Sequence, residues 1–105
     1  MGGRRARTIS RAMKLVATVF EVEPKHASAF RAAALANATA VERGDPACRG
    51  VAIAEDPSAP GFFLTSALYA SEEAAASHAA CEAARVFEET VRGFVKLKRV
   101  RLVDL

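Results

Sequence analysis

The segment Lys14 to Val22, KLVATVFEV, carries apolar side chains on both alternating sets: Leu15, Ala17 and Val19 on one, Val16, Phe20 and Val22 on the other. Successive strand residues point to opposite faces of a sheet, so a strand written this way needs cover on both sides. Any fold available to the chain must therefore bury two surfaces of the sheet that contains this segment.

The remaining segments supply that sheet and part of its cover. Pro24 suits the first position of a helix, where its missing N–H costs nothing, and Ala27, Phe30, Ala34, Ala38 and Val41 then fall on one helical stripe. Gly44 stops the helix, Asp45-Pro46 turns the chain, and CRGVAIAE from Cys48 to Glu55 resumes as a strand. After a turn over Asp56 to Gly61, the apolar and aromatic run Phe62 to Tyr69 reads as a third strand. Ser71 is the expected N-cap of an alanine-rich second helix, with acidic residues in its first turn and Gly93 at its end. Phe94 to Leu105, FVKLKRVRLVDL, mixes apolar and basic residues in the manner of a charged edge strand.

The order β-α-β-β-α-β predicts an α+β, ferredoxin-like fold: an antiparallel sheet with two helices on one face. The helices leave the reverse of the sheet, and with it one apolar set of the first strand, facing water. A second copy packed sheet to sheet covers it most economically, so a homodimer is expected.

At 105 residues the chain has room for one core. Its net charge of +3 brings a nucleic-acid or membrane partner into question, but Arg4, Arg5, Arg7 and Arg11 all precede Met13 and the rest is close to neutral. Residues 1–12 read as a basic, disordered tail ahead of a folded domain over 13–105, and Met13 as an alternative start. RNA-binding sheets of the same strand order present aromatics on their central strands; Leu15 to Val19 offers none, so no nucleic-acid partner is expected. The apolar stretch Leu15 to Phe20 runs straight into Glu21 and Glu23, which fits neither a secretory signal nor a membrane span. Cys48 and Cys81 then read as reduced, small buried residues of a cytoplasmic protein.

Three groups of residues together resemble the antibiotic biosynthesis monooxygenase domain family over about Met13 to Val103. They are Val22, Pro24 and Phe30; the D-P-A-C turn Asp45 to Cys48; and Y-A-S-E-E-A from Tyr69 to Ala74 followed by His78, with Phe87 continuing the pattern. The resemblance implies a dimeric α/β barrel whose pocket, between sheet and helices, takes small aromatic, phenolic or quinone-like molecules. Several members of the family oxygenate such molecules with O₂ and no metal or cofactor. The chain also departs from the pattern. Ala67 stands where an acidic residue is common, Tyr69 replaces a frequent tryptophan, and Ala83 and Ala84 fall where a His-Phe pair is often seen. Haem-degrading members carry an asparagine on the first strand, whereas Asn37 lies in the first helix here, so haem degradation is not expected.

Oxygenation without a cofactor requires a base, a donor that holds the substrate anion, and a dry slot. His78 is the candidate base and Tyr69 the candidate orienting group, with Phe63, Thr65 and Phe87 as candidate substrate contacts. A continuous second helix speaks against this role for His78. It would put His78 on a solvated stripe with Glu82, Arg85, Glu89 and Arg92, opposite a buried stripe of Ala76, Ala79, Ala80, Ala83, Val86, Phe87 and Thr90. Only a break near Ala80 to Ala83 turns the histidine inward, and no proline or glycine marks one. The competing function is a non-catalytic dimeric domain, binding small molecules or related to stress, in which these departures mean lost catalysis. His26 reads as a solvent-facing residue with no partner that the sequence can name, and the spacing of the two histidines and two cysteines gives no metal site.

Overall fold

The computed structural model describes residues 13–79 and 81–104. The tail expected over residues 1–12, and Leu105, lie outside the described residues. Within them the chain runs through β1 (Lys14–Val22), a short 3₁₀ turn (Pro24–His26), α1 (Ala27–Gly44), β2 (Cys48–Glu55), β3 (Phe62–Tyr69), α2 (Glu72–Ala79), α3 (Glu82–Val91) and β4 (Val95–Asp104). The four strands form one antiparallel sheet in the order β2-β3-β1-β4. This is the ferredoxin-like α+β fold. β1, apolar on both sides, takes a central place, with Phe20 opposite Phe63 on one neighbour and Thr18 opposite Val100 on the other.

The helices lie on the face of the sheet that carries Phe20, Val22 and Phe63. On α1 the apolar stripe delivers Ala27, Phe30, Ala34 and Val41 to the interior, while Ala38 is only half-buried. Phe30 is the centre of the packing: its ring centroid lies 4.9 Å from Phe20 and 4.6 Å from Phe63. Phe87 of α3 meets Phe20 and Phe30 edge-on. Each fully buried ring of this cluster contributes roughly 1.5–3 kcal/mol relative to exposure. Among the described residues no helix is long and apolar enough to cross a membrane.

The second helical segment is not continuous. Ser71 caps α2 as expected, its Oγ accepting the Ala74 N–H at 3.1 Å. The helix nevertheless ends at Ala79, and Cys81 is extended, with φ −83° and ψ 166°. The Cys81 N–H closes α2 on the His78 carbonyl at 3.0 Å, and the Cys81 carbonyl accepts from Arg85 to begin α3. Tertiary packing supplies the reason for a break that no proline or glycine enforces: α2 rests on β1 and β3, whereas α3 packs on α1. The buried stripe is rephased accordingly, with Ala75 and Val91 inside and Ala76, Val86 and Thr90 exposed. His26 also differs from expectation, because it stacks on Phe94 with centroids 4.8 Å apart.

Candidate functional site

Between the sheet and the helices lies a cavity of about 540 Å³ that opens to solvent. β1 contributes Val16 and Thr18, β3 contributes Thr65 and Tyr69, and α3 contributes Phe87. The wall is thus mainly apolar, with a few polar groups set into it, as small-molecule sites generally are.

Tyr69 ends β3, paired with Lys14 of β1 on one side and Cys48 of β2 on the other. These neighbours leave it fully buried, and its hydroxyl has no hydrogen-bond partner. The Cys48 thiol stands nearby but is directed at the Gly50 carbonyl, 3.6 Å away. Burial drives the Tyr69 phenol well above its ordinary pKa, with Cys48, Asp45 and Cys81 adding in the same direction. The group therefore remains a neutral donor at any physiological pH.

The break after Ala79 turns His78 inward, so the expectation of a solvated histidine is overturned. Its ring lies 5.3 Å from that of Tyr69, tilted by 31°, and it lines the cavity. Burial lowers the His78 pKa below its ordinary value, against a small opposing pull from Asp45. A neutral imidazole is the form that accepts a proton. The Cys81 Sγ sits 3.5 Å from His78 Nδ1, on the residue that begins the second helical piece.

Of the expected contacts, Thr65 and Phe87 line the cavity beside His78 and Tyr69. Phe63 does not. It is fully buried against Phe30, with the Arg31 guanidinium 5.9 Å from its ring centre, and so shapes the floor from behind. At the rim Arg85 bridges Glu82 at 2.8 Å and Glu89 at 3.1 Å, the exposed pairs that their spacing predicts, and Lys98 is paired with Glu88. Among the described residues no three His, Cys, Asp or Glu side chains gather as a metal ligand set.

Two cavity residues were not anticipated. Asn37 presents a buried Oδ1 with no partner, from the same α1 stripe as Ala34 and Val41. A single amide on an otherwise apolar stripe was the available signal. Cys81 lines the cavity instead of filling the core, and only the helix break reveals it.

The fold is shared with solved structures at low sequence identity. A protein of Caulobacter crescentus named "putative antibiotic biosynthesis monooxygenase" superposes with a TM-score of 0.85 at 20% identity, over 90% of this chain and 91% of that one. One of the same name from Nitrosomonas europaea gives a TM-score of 0.84 at 17% identity, over 94% and 95% of the two chains. Identities this low establish a common fold. No curated protein matches the chain. The family model for antibiotic biosynthesis monooxygenase matches residues 13–90, from β1 to the last turn of α3, and the chain belongs to that family.

Proposed function

We propose that the protein is a cofactor-independent monooxygenase that oxidises a small aromatic, phenolic or quinol-type metabolite, working as a homodimer in the reducing cytoplasm. The observation that carries this reading is the buried, unpartnered Tyr69 hydroxyl beside a neutral His78 in a largely apolar cavity. An orphaned buried donor is unfavourable unless something fills its hydrogen bond, and a substrate oxygen in the cavity does so.

His78 takes the phenolic proton, and Tyr69 donates to the resulting oxyanion. The phenolate passes one electron to O₂, and the two radicals recombine at a ring carbon to give a hydroperoxide. Loss of water leaves a quinone, with one oxygen atom in the product and the other in water. In the tautomer with its proton on Nδ1, the imidazole donates to Cys81 Sγ and keeps Nε2 free for the substrate. Thr65 and Phe87 bound the ring, and the apolar part of the wall limits the contact of the electron-rich anion with water.

The homodimer reading is supported by the reverse of the sheet, where Phe62, Leu64, Leu97 and Val103 are exposed on one surface. An oxygen-electrode screen with hydroquinones and naphthols tests the activity. Uptake by the parent protein that falls with His78→Ala supports the assignment, and uptake unaffected by it removes His78 from the mechanism.

A further inference from the structure

We infer that Cys81 is a nucleophilic thiol that adds to the electrophilic carbon of a planar enone or quinone held in the cavity. Three observations meet at this residue. Its Sγ lies 3.5 Å from His78 Nδ1, within reach of proton transfer for a sulfur donor. It lines a cavity large enough for a one- or two-ring molecule, so an incoming carbon has access to it. The fully buried Tyr69, whose hydroxyl lacks a partner, lines the same cavity and can hold the carbonyl oxygen of the electrophile.

Cys48 provides the contrast inside the same molecule. It is also a free, half-buried thiol, but its Sγ points at the Gly50 carbonyl, it has no imidazole partner, and it is not part of the cavity wall. Neither burial nor being a cysteine separates the two. What separates them is the break after Ala79, which brings the residue that caps α3 back against His78 of α2.

The step is balanced without an added oxidant or reductant. In the tautomer with its proton on Nε2, His78 Nδ1 takes the Sγ–H proton. The sulfur lone pair forms the S–C bond at the β-carbon, and the C=C electron pair moves through the carbonyl to give an enolate whose oxygen accepts from Tyr69. The imidazolium returns the proton to that oxygen, and a quinone, after shifting its ring proton to the second oxygen, ends as a thioether-substituted hydroquinone. The choice of a quinone rests on the monooxygenase reading, which makes one as product; the thiol–imidazole geometry does not.

The test is incubation of the full chain with para-benzoquinone under anaerobic conditions, followed by intact mass and peptide mapping. Because oxygen is absent, failure of the oxygenase reading leaves the outcome untouched, and oxygen uptake is scored separately. One adduct per chain at Cys81 is expected, retained in Cys48→Ser and lost in Cys81→Ser. His78→Gln is expected to slow the addition about tenfold or more, as loss of a positioned base does. Cys81→Ala serves as a second variant, and unfolded protein sets the rate of an ordinary thiol. Modification of Cys48 and Cys81 at equal rates, or an unchanged rate in His78→Gln, overturns the proposal.

Discussion

The Tyr69 and His78 rings face each other with centroids 5.3 Å apart, yet the Tyr69 hydroxyl, buried beside that imidazole, bonds to nothing. A buried donor left unmatched costs about 1–3 kcal/mol, so the residue is held in place by its ring and not by its oxygen. Tyr69→Phe keeps the ring and removes the oxygen. The variant is expected to gain roughly 1 kcal/mol of stability in urea denaturation and to lose most of the oxygen uptake proposed for the parent. A lower denaturation midpoint would mean that the hydroxyl is satisfied in the folded protein.

His78 makes stability depend on pH. Burial depresses its folded pKa below the ordinary 6.5, so on acidification the unfolded imidazole takes up a proton before the folded one does. The unfolded state then binds more protons, and stability falls as pH drops below 6.5, levelling off once the folded imidazole protonates as well. His78→Gln is expected to flatten this portion of the curve, read as urea midpoints across the range. The acid limb of any oxygenase activity should lie below 6.5 for the same reason. An activity profile that rises only above neutrality would assign the base elsewhere.

Much of this architecture was legible because local chemistry and global packing agree. β1, β2 and β3 begin and end where their apolar runs meet Pro24, the Asp45-Pro46 turn, Gly61 and Ser71. The α1 stripe reached the core because nothing interrupts its period. The break between α2 and α3 was not legible, because it is imposed by two surfaces that only the folded chain presents, the sheet under α2 and α1 beside α3. The orientation of His78, the exposure of Val86 and the access to Cys81 all follow from that break, so the site was hidden where the fold was plain. Phe63 was misplaced for a different reason. It shares the face of Thr65 and Tyr69, but the Phe30 ring covers it, and a shared face does not say what lies above.

Gly61 ties the end of β1 to the turn before β3. It has φ +91°, its carbonyl accepts the Val22 N–H at 2.8 Å, and a Cβ there would stand 2.3 Å from the Val22 carbonyl oxygen. Backbone cannot yield as a flexible side chain does, so the contact and the left-handed conformation penalise substitution together. Gly61→Ala is expected to destabilise the protein by about 2 kcal/mol or more in urea denaturation. Gly44→Ala, at a helix end where a Cβ meets nothing within 4 Å, is the control and should change the midpoint little. Equal effects of the two substitutions would show that the approach to Val22 carries no weight.

Leu64 and Val86 provide the discriminating pair for the homodimer. They are almost equally exposed in the single chain, at 45% and 46%, but they lie on opposite sides of the molecule. Leu64 is on the reverse of the sheet, opposite Val19 on β1 and Ala54 on β2, in the centre of the surface that a second copy is proposed to cover. Val86 is on the outward side of α3, away from that surface. A carboxylate introduced into a dry sheet-to-sheet contact has no partner and must be desolvated, a cost of several kcal/mol that an interface of this kind does not absorb. Leu64→Glu is therefore expected to sediment as a monomer at micromolar concentration, while Val86→Glu sediments with the parent dimer. A parent protein that is itself monomeric, or a Leu64→Glu variant that stays dimeric, would place the cover of β1 somewhere other than on a second copy of this face.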